Sequence, residues 1–468
     1  AIIFTMVGSL VSAQEICNNG IDDDGDGLID LFDSECQSIA DTSNFFFNKS
    51  IPFCSAKPPV FYTWTLKEKF NTNEANGGVL SGTPPYPIDQ RCGLFVGDLD
   101  ADGVSELVGK DGGTSGAIRV FSGVTGLHIA SYSLNTHAFS QVAIADVDDD
   151  GNGDIFVVDN SANLVRLEFD KTTKTLALAA GFTQNKAGHQ YRSPQVADFD
   201  EDGIPEVYVG NRIFNSITGA LFVSGSGNTG KNGQEDSWPI AYNIFNQGDL
   251  DPDGTGVFGD EADGLELILG NEIYCIKNDA GTWTMTLAAE IPEATITTSD
   301  GASVTGDGYT SLGDLNKDKV PDIVVTTVNT GNSQAYIYAY DPITLGQIGT
   351  GYKFPNPKKQ AGRCNVADFD GDGELEIGTA GNNEYIVLET DLTLKWRKDA
   401  LDDGSAQTGS TVFDFEGDGS AEVVYSDEDT LFVWKGSDGR TLAKIASPSG
   451  TRTDYPLVAD VDDDGQAE

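Results

Sequence analysis

Acidic residues recur in a fixed nine-residue frame along most of this 468-residue chain. In the loop from Asp198 to Glu206, carboxylates stand at the first, third, fifth and ninth positions. Gly203 at the sixth position lets the chain turn back on itself. Alternating acidic side chains in such a turn converge on one point and form a cage of hard oxygen ligands. The spacing therefore predicts cation binding, with Ca²⁺ as the preferred ion.

Eight copies of this frame follow one another, and their first positions lie 46 to 65 residues apart. The predicted metal ligands are Asp98, Asp100, Asp102 and Glu106; Asp146, Asp148, Asp150 and Asp154; Asp198, Asp200, Asp202 and Glu206; Asp249, Asp251, Asp253 and Glu266; Asp314, Asn316, Asp318 and Asp322; Asp368, Asp370, Asp372 and Glu376; Asp414, Glu416, Asp418 and Glu422; and Asp460, Asp462, Asp464 and Glu468. The fourth copy is interrupted by residues 255–262. In the fifth copy Asn316 removes a charge and Lys319 replaces the expected glycine, so we expect this site to be the weakest.

A further acidic loop precedes the repeats, between Cys17 and Cys36. Its first, third, fifth, ninth and twelfth positions are Asp22, Asp24, Asp26, Asp30 and Asp33, which is the spacing of an EF-hand loop. The flanks are too short for the usual pair of helices. We interpret residues 14–37 as a disulfide-closed, EF-like calcium-binding motif, with a flexible acidic linker as the alternative.

The remaining segments indicate an exported protein. Residues 1–13 are apolar and end in small residues, which is typical of a signal peptide remnant, although a short buried helix is the alternative. Residues 38–59 are interpreted as a linker and residues 60–468 as a C-terminally truncated repeat domain. Six cysteines fit an oxidising compartment, and no later stretch is apolar and long enough to span a membrane. We therefore expect an extracellular protein, secreted or attached to the cell surface.

Composition limits the classes of function. The chain has 74 acidic and 28 basic residues and a net charge of −46, so nucleic acid is not expected as a partner. A solvated acidic surface is the simplest explanation of such an excess, but its clustering in a fixed frame favours metal binding. The three histidines belong to no zinc motif, and neither a nucleophile elbow nor a phosphate-binding loop is present. The sequence therefore predicts no catalytic residues and no enzyme.

Short apolar strands surround every acidic loop. One strand leads into the first aspartate, a second follows the ninth position, and a third alternates, as in residues 335–340. A glycine-containing turn then leads to a fourth strand. Four strands in each repeat, without a convincing helix, predict an all-β fold, a β-propeller with a calcium loop in each blade. Eight loops favour eight blades, and seven is the alternative if the last loop begins another unit.

These loops resemble the FG-GAP/VCBS repeat family, which includes the calcium-binding β-propeller of integrin α subunits. The resemblance covers residues 60–468 and rests on the repeated acidic frame followed by an apolar strand. It implies side-chain ligands at positions one, three, five and nine, with the carbonyl of position seven alongside. The Phe-Gly and Gly-Ala-Pro signatures of the family are largely absent, so integrin-like ligand recognition is not implied.

The resemblance and the missing catalytic motifs together predict a function outside the cell. We expect a calcium-binding propeller that acts in adhesion or as a structural or interaction protein. Its expected partners are an extracellular protein, a glycan, or further copies of itself. Two alternatives stay open on the same fold, a carbohydrate-binding lectin and a polysaccharide lyase of the rhamnogalacturonan type.

Overall fold

The computed structural model describes residues 2–6, 64–71, 88, 92–111, 116–137, 139–225, 227, 238–245, 264–331, 333–355, 361–402, 408–453 and 455–468. The chain divides into two compact units, one formed by residues 1–5 and 67–468 and the other by residues 6–66. In the second unit only Met6 and residues 64–66 are described. The predicted EF-like motif, with Asp22, Asp24, Asp26, Asp30 and Asp33, and the predicted linker therefore lie outside the described residues.

Seven four-stranded antiparallel sheets make up the first unit, and the strands of each sheet follow one another in chain order. Blade one contains β3 (Phe95–Gly97), β4 (Glu106–Lys110), β5 (Ala117–Ser122) and β6 (His128–Ser133); blade two β7 (Val142–Ala145), β8 (Asp154–Val158), β9 (Leu164–Asp170) and β10 (Thr175–Leu178); blade three β11 (Gln195–Ala197), β12 (Glu206–Val209), β13 (Arg212–Phe214) and β14 (Leu221–Ser224); blade four β15 (Ile240–Tyr242), β16 (Glu266–Leu269), β17 (Glu272–Asp279) and β18 (Thr282–Glu290).

The last three blades have the same arrangement. Blade five contains β19 (Tyr309–Gly313), β20 (Asp322–Val328), β21 (Ala335–Tyr340) and β22 (Gln347–Lys353); blade six β23 (Asn365–Ala367), β24 (Glu376–Gly381), β25 (Glu384–Leu388) and β26 (Leu394–Asp399); blade seven β27 (Thr411–Phe413), β28 (Glu422–Ser426), β29 (Thr430–Trp434) and β30 (Thr441–Ala446). Two further strands, β1 (Ile2–Met6) and β2 (Leu66–Asn71), form a two-stranded sheet.

Burial along the strands explains their composition. Every residue of β20 and β21 is buried, because both faces of a blade pack against neighbouring blades. These strands therefore consist mostly of β-branched and aromatic residues, which suit a sheet covered on both sides. The fourth strands, such as β30, contain several exposed residues, as expected at the outer edge of a blade.

Apolar clusters join consecutive blades into a ring. Blades five and six share a cluster that contains Ile337 and Ile386, and the rings of Tyr385 and Trp434 lie 5.4 Å apart between blades six and seven. At the end of the chain, Val461 packs with Leu107 of the first blade. The β-propeller is confirmed with seven complete blades, so the number of acidic loops exceeds the number of blades by one.

Helical structure contributes little to the part of the chain that the structure describes. Its helical element is a 3-10 turn, Glu293–Thr295. None of the described residues form a helix that is long and apolar enough to cross a membrane.

Candidate metal centres

Each acidic loop of a blade connects its first strand to its second. The ninth position is the first residue of the second strand, as Glu106 is in β4 and Glu206 is in β12. Its carboxylate is buried and accepts a hydrogen bond from the backbone N–H of the second loop position. Leu99 donates this bond to Glu106 over 2.8 Å, and Phe199 donates it to Glu206 over 3.0 Å. The sheet therefore fixes the ninth carboxylate beneath the loop.

The loop backbone turns twice through left-handed conformations, at the fourth and sixth positions. In loop three Glu201 has φ 55° and Gly203 has φ 88°. The first carboxylate closes this turn, because Asp198 accepts the backbone N–H groups of Asp202 and Gly203 over 3.2 and 2.9 Å. Glycine at position six was expected from the sequence, whereas the left-handed fourth position was not, since three of the seven described loops have neither glycine nor aspartate there.

Among the described residues, five loops bring three carboxylates together, with one oxygen of each within 4.8 Å of the others. The groups are Asp98, Asp100 and Glu106; Asp146, Asp148 and Asp154; Asp198, Asp200 and Glu206; Asp368, Asp370 and Glu376; and Asp460, Asp462 and Asp464. The first four groups use positions one, three and nine, and the last uses one, three and five. The predicted fifth-position ligands Asp102, Asp150, Asp202 and Asp372 stand outside these groups, as does Glu468 at the ninth position of the last loop.

The third-position aspartates give a direct test of whether the groups fit a cation. In four loops one oxygen of this residue is held by a side chain from elsewhere, namely Lys174 on Asp100, Asn278 on Asp200, Lys395 on Asp370 and Lys69 on Asp462. The other oxygen, Oδ1, is buried and has no hydrogen-bond partner among the described residues. A buried carboxylate oxygen without a partner is costly, and a bound cation would satisfy it. The donor set of three carboxylates fits calcium.

The buried carboxylates at the ninth position also have pKa values above the ordinary range. Burial and the neighbouring aspartates raise the pKa of Glu206 to about 8, and burial, with a smaller contribution from Asp98 and Asp102, raises the pKa of Glu106 to about 6. Burial also raises the pKa of Asp154 to about 6, although its hydrogen bond with Arg166 opposes this change. Negative charge at these buried carboxylates is thus unfavourable by itself, and a divalent cation would reverse that preference.

Basic side chains distinguish the groups from one another. Arg166 lies 2.6 Å from both Asp148 and Asp154, so it occupies part of the second group. Lys395 lies 2.7 Å from Asp370 and 3.1 Å from Glu376 in the sixth loop. In the third group the corresponding partner is the neutral amide of Asn278, 2.6 Å from Asp200. The third loop is therefore the most electronegative of these groups.

The remaining loops do not form such groups among the described residues. In the fifth loop Asn316 donates a hydrogen bond to Asp322 over 3.2 Å, and Asp314, Asp318 and Asp322 do not form a group of three. In the seventh loop Glu416 takes the third position, and Asp414, Asp418 and Glu422 are not brought together with it. In the interrupted fourth copy Asp249, Asp251 and Asp253 lie outside the described residues, while Glu266 is buried and accepts the Ile244 N–H over 2.8 Å.

Lys319 offers a way to test the fifth loop. It holds the sixth position with φ 75°, a conformation that favours glycine. We expect Lys319→Gly to raise the free energy of unfolding in calcium-free buffer by about 1 kcal/mol, because it removes this backbone strain. Urea denaturation measures the change.

Two substitutions together should create a calcium site in the fifth loop. The double variant Asn316→Asp, Lys319→Gly restores the frame of the third loop, and we expect it to bind one more calcium ion than the unmodified chain, as measured by equilibrium dialysis. Ala101→Gly, at the left-handed fourth position of loop one, is the matched control and should leave the calcium count unchanged. An unchanged count in the double variant would show that the frame alone does not create a site.

Comparisons with known proteins give a family match and several similar solved structures. Residues 146–209, which span the second and third acidic loops, match the FG-GAP-like repeat family. The Vibrio cholerae biofilm matrix protein Bap1 is similar over 83% of this chain and 85% of its own, with 15% identity and a TM-score of 0.58. Yeast (Saccharomyces cerevisiae) Sqt1 matches over 81% of this chain and 92% of its own, with 13% identity and a TM-score of 0.48. A quinohemoprotein alcohol dehydrogenase from Comamonas testosteroni covers 81% of this chain and 70% of its own, with 10% identity and a TM-score of 0.46. No curated protein matches the chain.

These observations define the class of the protein as a seven-bladed β-propeller. More particularly, it is a propeller whose residues 146–209, over the second and third acidic loops, match the FG-GAP-like repeat family. The propeller fold supports both binding and catalysis, so the fold does not by itself decide between these functions.

The side chains that hold the third-position aspartates were missed from the sequence. Lys174 contacts Asp100 from the neighbouring blade, 74 residues further along the chain, and Asn278 contacts Asp200 from 78 residues away. They belong to turns and strands that have no motif of their own. Only the register of neighbouring blades brings these residues to the loops, and that register is not visible in the local sequence.

Proposed function

We propose that this chain is a calcium-binding β-propeller that acts outside the cell, in adhesion or as a structural or interaction protein, without catalysis. The observation that carries the proposal is the buried, unpartnered Oδ1 of the third-position aspartate in four loops. Each of these atoms belongs to a residue of a three-carboxylate group. The match of loops two and three to the FG-GAP-like repeat family supports the same reading.

The calcium ions would be held by the first, third and ninth positions in four loops and by the first, third and fifth in the last. In loop three, Asp198 and Asp200 belong to the turn and Glu206 to β12. An ion shared by these carboxylates would neutralise their repulsion and tie the turn to the sheet. At about 5 Å, two such charges repel by roughly 1 kcal/mol even at the dielectric constant of water. Calcium would thus be a structural ion that stiffens the blades whose loops carry these groups.

The calcium concentration outside the cell is high enough to fill such loops. Modules of this kind bind calcium with dissociation constants of about 0.1 to 1 mM, which suits concentrations outside the cell rather than inside it. The net charge of −46 keeps copies apart by repulsion until cations neutralise it. The propeller would then be available to an extracellular protein, a glycan or another copy of itself. Bap1, a biofilm matrix protein, has a similar fold.

Retention on immobilised ligands tests this function. The purified chain is applied to a glycan array and to a surface coated with the same chain, in calcium and in EDTA. We expect retention in calcium that is lost in EDTA, and we expect no rise in ultraviolet absorbance when pectic polysaccharides are incubated with the protein. Equal retention in both buffers would contradict calcium-dependent adhesion, and a steady rise in absorbance would identify a lyase instead.

A further inference from the structure

A cavity of about 590 Å³ lies where the first strands of the blades face one another. Six of these strands contribute to its wall, through Phe95, Val142, Gln195, Tyr242, Ser311 and Asn365. Its volume is within the range of small-molecule sites. No aspartate or glutamate is among the described residues that line it, although the chain as a whole is strongly acidic. The cavity is therefore electrostatically different from the rest of the molecule.

Arg363 is the basic residue among those described in the cavity wall. It precedes β23, and its Nε donates a hydrogen bond to the carbonyl of Thr310 over 3.0 Å. None of the described carboxylates forms an ion pair with its guanidinium group, and burial lowers its pKa, with Tyr455 and Tyr208 opposing this change. A half-buried guanidinium that faces a cavity and has no carboxylate partner among the described residues favours an anion in the adjoining space.

Two amide oxygens in the same wall need hydrogen-bond donors. Gln141 is 6% exposed, and its Nε2 donates to the carbonyl of Thr453, while its Oε1 is buried and has no partner among the described residues. The Oε1 of Gln195 is likewise buried and unpartnered. Both residues line the cavity. The wall thus offers a cation for a negative group and two acceptors for hydroxyl groups.

Aromatic rings complete the wall. Trp238 is buried, and its ring lies 5.4 Å from the ring of Tyr455 and 5.5 Å from that of Tyr309. Trp238 and Tyr455 both line the cavity. Aromatic faces beside a few polar groups provide apolar contact for the carbon skeleton of a ligand and orient it.

We propose that this cavity binds a sugar acid, whose carboxylate pairs with Arg363 and whose hydroxyl groups donate to Gln141 and Gln195. The ligand is either a free sugar acid or the acidic end of a glycan, since both carry the same chemistry. This site lies apart from the calcium loops, so its test can fail while the calcium proposal stands, and the reverse is also true.

Calorimetric titration of the full chain with D-galacturonate, at a fixed excess of calcium, tests the proposal. The methyl ester of the same sugar is the matched ligand control, because it keeps the hydroxyl groups and loses the charge. We expect the acid to bind at least about 10-fold more tightly than the ester. Arg363→Gln should reduce the affinity for the acid to that for the ester. Arg397→Gln removes a guanidinium from the outer strand β26 and should leave the affinity unchanged.

A digalacturonate titration distinguishes the two sources of the ligand. Tighter binding of the dimer would identify a glycan end, and tighter binding of the monomer would identify a free sugar acid. Equal affinities for the acid and the ester, or no binding of either, would overturn the proposal. The same holds if a folded Arg363→Gln variant binds the acid as tightly as the unmodified chain. Should that variant fail to fold, the comparison of acid and ester on the unmodified chain decides the question.

Discussion

Adding 10 mM calcium to the metal-free protein is expected to raise its thermal unfolding midpoint by about 10 °C. Each occupied loop contributes about 1 to 3 kcal/mol at this concentration if its dissociation constant is about 0.1 to 1 mM. The structure brings three carboxylates together in five loops, so the contributions add over five sites. Because the ions bind the folded loops and not the unfolded chain, the whole gain appears as stability. Calorimetric melting in calcium and in EDTA measures it.

Ionic strength needs its own control in this experiment. A chain with a net charge of −46 is also stabilised by simple screening, so sodium chloride at matched ionic strength must be compared. Magnesium is a second control, since it is smaller than calcium and gives up its water reluctantly. We expect both to give a clearly smaller shift. If sodium chloride reproduced the calcium shift, the loops would be acting only as repelling surface charge.

The second large effect is expected for Asp200→Asn in the third loop. Asp200 belongs to the group that has no basic side chain among its described partners, so this loop should bind calcium most tightly. The substitution removes a ligand charge but keeps the size of the side chain. In calcium we expect the free energy of unfolding to fall by about 2 to 3 kcal/mol and one ion to be lost. In EDTA we expect no loss, because the substitution relieves repulsion among Asp198, Asp200 and Glu206.

This difference between the two buffers separates metal binding from packing. Asp279→Asn is the matched control, because it removes one charge at the exposed end of β17, outside the acidic loops. Its effect should be the same in calcium and in EDTA and smaller than about 0.5 kcal/mol. Equal losses for Asp200→Asn in both buffers would mean that Asp200 serves the fold and not a metal.

The sequence was sufficient to predict the fold because one local pattern repeats. The acidic frame stands between the first and second strands of each blade, and this placement follows from the turn that its glycine permits. The number of blades was harder to predict, because the eighth copy of the frame, from Asp460 to Glu468, stands outside the seven sheets. A loop motif predicts the position of a turn, but it does not show whether four strands surround that turn.

Only part of each candidate metal centre could be predicted from the sequence, namely the contacts within one loop. Local spacing determines which carboxylates share a turn, and in four loops the structure brings positions one and three together with position nine. The spacing does not determine contacts from other blades, such as that of Lys174 with Asp100. The cavity residue Arg363 was also missed, because its place in the cavity wall depends on how the first strands of different blades face one another.

The number of calcium ions bound per chain tests the central claim most directly. Metal-free protein is dialysed to equilibrium against calcium at matched ionic strength, and the bound metal is measured by elemental analysis. We expect about five ions, one for each three-carboxylate group, with additional ions only if the fourth copy or residues 14–37 bind calcium as well. A count of zero or one would contradict it, because the acidic loops would then be surface turns without a metal.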